Sequence, residues 1–180
     1  MMWDERYSED GFAYGTKPND FLAAAYQHLP TGGRVLCLAE GEGRNAVFLA
    51  GKGYRVTAVD QSPVGMEKAR QLAADMGVSI ETITADLADF DLGEHTWEGI
   101  VSISAHMPEA LRRKLHARVV EALVPGGVFI LEAYTLRHLD MDGVGGPPPA
   151  ARDFFMSLAM LRQELNGLDE QHGVELDRPM

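Results

Sequence analysis

The chain has 180 residues, 46% of them hydrophobic, with a net charge of −11. That length supports one substantial core with no room for a second catalytic domain, so residues 1–180 are read as one domain. The acidic balance opposes a phosphate backbone and disfavours nucleic acid; no apolar run approaches the roughly 18 residues that span a bilayer, and the polar N-terminus does not resemble a signal peptide, so a cytoplasmic location away from membranes is expected.

An aromatic-rich arm comes first, over residues 1–20, with Trp3-Asp4-Glu5-Arg6-Tyr7 and Phe12-Ala13-Tyr14-Gly15. Such residues, apolar on the face and polar at the tip, suit either a cover for a bound ligand or a cap on the end of a sheet. Asn19 or Asp20 then caps a predicted helix to about His28, with Phe21, Ala24, Ala25 and Leu29 on one stripe.

The organising stretch is Arg34 to Leu49. The apolar run Val35-Leu36-Cys37-Leu38-Ala39 stops at Glu40-Gly41-Glu42-Gly43, and a helix-compatible segment, Arg44 to Ala50, starts at once. Strand, tight glycine turn and helix is the physical reading. Glycine at 41 and 43 allows positive φ and close approach of a ligand to the backbone, and the first helical amides point into the same space. Cys37, the one cysteine, falls inside the strand, which leaves no disulfide framework or thiolate cluster for a metal.

A dinucleotide fingerprint has a third glycine where this turn has Ala46, a tolerated variant. Charge is the stronger discriminator. Glu40 and Glu42 bracket the place where a pyrophosphate would sit and would repel it, whereas a ligand with a cationic end would be attracted. S-adenosylmethionine, with an ammonium, a sulfonium and no phosphate, fits this turn better than a nicotinamide dinucleotide.

The stretch LCLAEGEGRNAVFLA resembles the glycine motif of class I S-adenosylmethionine-dependent methyltransferases. The variant is similar to that of small bacterial proteins related to tellurite-resistance and thiopurine methyltransferases. It departs from the commoner form in that Glu40 directly precedes Gly41. The resemblance runs from Trp3 to about Glu175 and speaks for the cofactor more than for the substrate. It implies a Rossmann-like α/β fold: a doubly wound, mostly parallel sheet with helices on both faces. It also implies that the N-terminal arm, with Tyr14, lies over the cofactor and lines the substrate side.

Arg55 to Asp60 is a second predicted strand ending in an acid, about 20 residues beyond the glycine turn, the interval at which doubly wound folds place a carboxylate on ribose hydroxyls. Asp60 could instead cap the next helix, but Ser62-Pro63 is itself a competent start, which frees Asp60 for a ligand. That helix runs to about Met76, with Met66, Ala69, Leu72, Ala73 and Met76 on its buried face. Val78 to Ala85 alternates as a half-buried, edge-side strand ending at Asp86-Leu87. By resemblance, Asp86 accepts from the adenine amine and the backbone of Leu87 touches the ring; read alone, Asp86 is also a common strand-end acid.

Trp97 to Pro108 holds a fourth strand, near-continuously apolar or small as for a central parallel strand, and its end at Ser104-Ala105-His106 opens beside the glycine turn. His106 is the candidate base, a neutral imidazole able to take a proton from an acceptor; the alternative is a histidine that merely bonds a loop. The Asp/Asn-Pro-Pro-Tyr/Phe signature of the family's nucleic acid and protein amide branch is absent here. A helix follows from Pro108 to about Leu123, buried through Leu111, Leu115, Val119 and Leu123, with Arg112, Arg113, Lys114 and Arg118 read as a solvated outer face. Pro125-Gly126-Gly127 turns the chain into a fifth strand, Val128 to Tyr134, where Tyr134 could face substrate.

Residues 135–151, including Gly143-Val144-Gly145-Gly146 and three prolines, read as a flexible loop, either a lid or a surface connection, with Arg137 and His138 at its root able to orient an anionic substrate. Phe154, Leu158, Leu161 and Leu165 mark one more amphipathic helix, and a weak strand signal follows near Asp169 to Leu176. The family's last antiparallel strand has no counterpart in the sequence. A shortened C-terminus is therefore expected, with an edge that a second copy of the chain could complete as a homodimer.

The candidate cofactor set is Tyr14, Glu40, Gly41, Gly43, Arg44, Asn45, Asp60, Gln61, Ser62, Asp86, Leu87 and Ser104, with His106, Tyr134 and Arg137 as candidate catalytic residues and no metal. The expected activity is methyl transfer from S-adenosylmethionine to a small-molecule acceptor such as a thiol or a chalcogen oxyanion. A module that binds the cofactor without turnover is the alternative.

Overall fold

The computed structural model describes residues 2–141 and 145–178. Five strands, β1 (Arg34–Leu38), β2 (Arg55–Asp60), β3 (Glu81–Thr84), β4 (Trp97–Ile103) and β5 (Leu123–Glu132), form one all-parallel sheet in the order β3-β2-β1-β4-β5. The chain winds outward from β1 to β3 and then returns to the other side of β1. The switch point lies between β1 and β4, the crevice where open α/β sheets bind ligands.

The described residues form six helices, α1 (Met2–Tyr7), α2 (Asp20–Ala25), α3 (Arg44–Gly51), α4 (Pro63–Asp75), α5 (Glu109–Ala122) and α6 (Leu158–Glu164), with α1 packed on α4 and α6 on α5. The period-2 alternation of β1 divides the core. Val35 and Cys37 join Leu22, Ala46, Leu49, Met66 and Ala69 on one face. Leu36 and Leu38 join Leu115, Val119 and Ala122 on the other. A continuous apolar strand is what a sheet buried on both faces requires. The doubly wound expectation holds, and Cys37, inside β1 as expected, is fully buried.

Several boundaries differ from the sequence reading, each for a local reason. The first helical segment is α2 followed by a 3-10 turn over Tyr26–His28, and it buries Leu22 while Ala24 is exposed. α4 ends before Met76, which is 66% exposed, and the Val78 N–H closes that helix end on the Ala73 carbonyl, so β3 starts only at Glu81. Pro125-Gly126-Gly127 is an excursion within β5: Trp97 pairs with Leu123 and Gly99 with Val128, so four residues on β5 face one on β4. A glycine at 126, with φ +80°, permits this bulge. Residues 169–176 form no strand.

The basic run on α5 is also corrected. Arg112 is fully buried and Arg118 partly buried, because Arg112, Leu115, Val119 and Ala122 share one helical stripe; Arg113 and Lys114 do face solvent. Among the described residues no antiparallel strand follows β5. β5 closes the sheet, so no interior slot is left open. No helix among the described residues is long and apolar enough to cross a membrane. In the loop 135–151, residues 136–140 form a short 3-10 helix; Gly143 and Val144 lie outside the described residues.

Candidate functional site

At the carboxyl end of β1 the chain turns through Ala39, Glu40, Gly41, Glu42 and Gly43 into α3. The helix starts at a glycine, Gly43, with φ +90° and no capping side chain of its own. Glu40 supplies the cap instead: one of its carboxylate oxygens accepts the Asn45 and Ala46 N–H groups at 2.9 and 2.8 Å. Placing a carboxylate on these orphan amides satisfies donors and complements the positive end of the helix. Burial nevertheless outweighs the two amides and pushes Glu40 up to about 7.

Asp60, at the end of β2, faces the same turn. One oxygen accepts from Gly41 N and the other from Ser62 N, both at 2.9 Å, and burial raises its pKa. Ser62 caps α4 by accepting the Gly65 N–H at 3.1 Å, as the Ser-Pro pair suggested. Asp60 is therefore already engaged with backbone, and each oxygen keeps only its remaining lone pair for another donor.

Glu42 has partners of its own. It is buried, pairs with Lys68 Nζ at 2.9 Å and accepts the Ala13 N–H at 2.7 Å. Lys68 also donates to the carbonyls of Glu9 and Gly11, so this ion pair latches the N-terminal arm to the turn. Ser62 Oγ donates to Asp4 at 2.5 Å, and Tyr7 packs its ring into the corner. A Cβ on Gly41 would come within 2.7 Å of the Tyr7 hydroxyl, and one on Gly43 within 2.6 Å of Ala69 Cβ. The close approach permitted by these glycines is thus filled by the chain's own Tyr7 and α4. Burial and the neighbouring Asp60 raise the Tyr7 pKa.

The other candidates spread around this corner. Arg44 donates to the Tyr14 carbonyl at 3.2 Å and stacks over the exposed Tyr14 ring. Asn45 is buried and accepts the Asn19 N–H; Asn19 caps α2 and reaches Glu132 at the end of β5. Gln61 and Asp86 are exposed, Asp86 accepting the Ala88 N–H at 2.8 Å, while Leu87 is buried. Ser104 lies at the end of β4 with φ +55°, and Ala39 at the end of β1 with φ +49°. Two non-glycine residues in the left-handed region flank the switch point, each held there at a cost of about 1–3 kcal/mol.

Farther along the crevice, His106 has both ring nitrogens engaged: Nδ1 lies 3.2 Å from the Phe154 carbonyl, and Nε2 accepts the Tyr134 N–H at 3.5 Å. Burial lowers its pKa, so the ring is neutral at pH 7. Tyr134 lies 5.4 Å from the His106 ring centroid and 4.5 Å from that of His138. Arg137 stands apart, its side chain 71% exposed and paired with Asp177 at 2.6 Å. Among the described residues no cluster of three metal-ligating side chains occurs. An open depression of ≈ 450 Å³, lined by Arg34, Arg55, Thr57 and Glu81, lies at the opposite ends of the strands.

The donor set suits a ligand with a cationic end. Two carboxylates, Glu40 and Asp60, face the turn, and the nearby cations Lys68 and Arg44 are committed to Glu42 and to Tyr14. Sequence reasoning did not single out Lys68, Tyr7 or Asp4 individually. The aromatic arm signalled that something covers the turn, but the latch is a contact across 57 to 59 residues that no local pattern announces.

Comparison with known proteins bears on the family and the fold. The chain matches the methyltransferase domain family over residues 35–127, more than half of its length. It is 27% identical over 122 residues to a 2-heptyl-1-hydroxyquinolin-4(1H)-one methyltransferase of Mycobacteroides abscessus, covering 66% of this chain and 53% of the relative, so the chain spans about half the length of that protein. Its fold is similar to that of a Pyrococcus horikoshii protein, with a TM-score of 0.69, 21% identity and 81% and 77% of the two chains covered. It is also similar to the DhpI–SAH complex, with a TM-score of 0.62, 25% identity and 91% and 82% covered. The chain belongs to the class I S-adenosylmethionine-dependent methyltransferases.

Proposed function

We propose that the chain binds S-adenosylmethionine at the carboxyl ends of β1, β2 and β3 and carries out methyl transfer to a small-molecule acceptor beside β4 and β5. The observation that carries this reading is the acidic glycine turn at the switch point, where Glu40 caps α3 and Asp60 holds Gly41. In it Asp60 and Glu40 would hold the cofactor's polar and cationic groups, and Asp86 and Leu87 its base, beneath an arm formed by Tyr7 and Tyr14. When bound, the cofactor supplies an electrophilic methyl group on a sulfonium.

The rest is positioning by the chain's own residues. His106, neutral and fixed between Phe154 and Tyr134, would take the proton of an acceptor by opening its 3.5 Å contact at Nε2. Alignment of the acceptor by the rings of His106, Tyr134 and His138 would supply much of the rate. We infer an acceptor with a soft or weakly acidic nucleophile: a thiol or chalcogen oxyanion, as in the tellurite- and thiopurine-related branch, or a hydroxylated heteroaromatic, as in the relative's name. The net charge of −11 supports action on a small molecule without nucleic acid partners.

A second reading, cofactor binding without turnover, draws on one observation: both nitrogens of His106 are already engaged. Calorimetric titration with S-adenosylmethionine, S-adenosylhomocysteine and NAD tests the cofactor; binding of the first two and not NAD is expected, and NAD binding alone would overturn it. His106→Ala is expected to lower methyl transfer to a responsive acceptor about 100-fold with cofactor affinity retained. Equal turnover would remove His106 from the chemistry.

A further inference from the structure

α5 and α6 are joined by a buried charged cluster that plays no part in the chemistry proposed above. The Arg112 and Glu164 side chains are both 0% exposed and meet at 2.9 Å, with Arg112 Nε a further 3.1 Å from each Glu164 oxygen. His116 Nδ1 donates to the second carboxylate oxygen at 2.7 Å. Burying such a cluster costs several kcal/mol per ion, and well-packed apolar residues commonly serve stability as well or better. A role besides stability is therefore indicated.

The remaining bond of Arg112 supplies it. Its Nη1 donates to the Asp153 carbonyl at 2.8 Å, and the carbonyl of the next residue, Phe154, is the partner of His106 Nδ1. Phe155 then buries its ring beside His106, and the Met156 N–H donates to the Tyr134 carbonyl at 3.0 Å. Residues 153–156 thus form a strap across the ends of β4 and β5, and Arg112 fastens the start of that strap. We propose that Arg112 is a positioning residue that sets the tautomer and tilt of His106 through the Asp153–Phe154 main chain. A carbonyl can only accept, so the strap requires the proton on Nδ1 and leaves Nε2 as the ring's acceptor, the atom a base needs. The importance of that setting for methyl transfer rests on the function proposed above; the setting itself does not.

Nitrogen-15 NMR of the histidine rings in the full-length chain tests it, with the His106 signal assigned by its loss in His106→Gln. Wild type should show Nδ1 protonated and Nε2 bare; the opposite tautomer would overturn the inference without any variant. Arg112→Lys keeps a cation for Glu164 but lacks the fork that also reaches Asp153. It should move the His106 nitrogens toward an exchange-averaged pair, and Arg112→Met with Glu164→Gln should do the same where a buried charge is not tolerated. His116→Gln loosens the same cluster without touching the strap and should leave His106 unchanged. An unchanged His106 in both Arg112 variants, or an equal change in His116→Gln, would reduce Arg112 to a structural role. Under the proposed function Arg112→Lys also lowers kcat about tenfold with little change in cofactor affinity. Absence of any methyl transfer would count against that function, and the ring measurement would still decide the part played by Arg112.

Discussion

The two ends of the crevice are built differently. Around β1 and β2 the contacts that shape the turn's own backbone are short in sequence, Glu40 reaching Asn45 and Ala46 and Asp60 reaching Ser62 and, 19 residues away, Gly41, while the arm is latched on from farther off through Glu42 and Lys68. Around β4 and β5 the contacts come from far away, with His106 held by Phe154, 48 residues on, and Glu132 by Asn19, 113 residues back. The turn's backbone is thus held by near neighbours, with Tyr7 and the arm added to it across a longer span. An acceptor end made of distant contacts depends on the whole chain, and it is the part in which members of one fold family can differ.

The largest effect should come from breaking the local end. Asp60→Ala removes an acceptor from Gly41 N and Ser62 N and leaves two buried donors unsatisfied, about 1–3 kcal/mol each. Cofactor affinity should fall by about 100-fold and the melting temperature should drop as well, whereas His106→Ala should leave affinity nearly intact. Titration calorimetry and thermal melts on the same samples check this. Unaltered affinity would remove Asp60 from the site.

Lys68→Met probes the connection between arm and corner. It leaves buried Glu42 with only the Ala13 N–H and releases the carbonyls of Glu9 and Gly11. Lys68 is partly exposed, so the loss should be about 2 kcal/mol, below that of a fully buried pair. Its signature is faster hydrogen exchange confined to residues 9–13. Uniformly faster exchange would mean that the latch holds the fold and not the arm.

The contrast between the two ends also explains what the sequence revealed. The first two strands, the glycine turn and the Ser62 cap follow from the apolar runs and the spacing of residues 35 to 73, where period and turn chemistry agree. Arg112 was readable too, since Leu115, Val119 and Ala122 extend back to it at helical spacing, but its charge argued for solvent. Its partner Glu164 lies 52 residues away, and nothing local marks that pairing. The same holds for Lys68 with Glu9 and for His106 with Phe154. The excursion at 125–127 was hidden for another reason: Pro-Gly-Gly signals a turn equally well between elements or within a strand.

Smaller in size is a pH effect at the local end. Glu40 is raised to about 7 by burial, so the free protein holds a proton there below that pH, and a cationic ligand favours the ionised form. Affinity for S-adenosylmethionine should therefore rise with pH and level off above about 7, falling by up to about tenfold per unit below it. The stability linkage has the opposite sign: a raised carboxyl stabilises the ligand-free fold most below its unfolded value near 4.5, and that contribution is lost as pH rises through about 7. Calorimetry in two buffers of different ionisation heat should detect proton release on binding, and Glu40→Gln should abolish it. A flat affinity between pH 6 and 8 would show that another group carries the cation.

The smallest effect belongs to Arg137. The sequence places it at the root of a loop beside the acceptor, but the structure pairs it with Asp177 across a largely exposed contact, the side chains 71% and 47% accessible. Exposed pairs of long side chains give back in entropy most of what they gain in attraction, so Arg137→Ala should change stability by less than about 0.5 kcal/mol. An anionic acceptor would have to draw Arg137 away from Asp177 to be oriented by it, and a neutral thiol or phenol-like acceptor would not. Comparing kcat/KM of Arg137→Ala for a charged and a neutral acceptor therefore decides the residue's part. An equal response to both leaves it a surface pair, while a selective loss with the anionic acceptor would restore it to the site and identify the acceptor as an oxyanion.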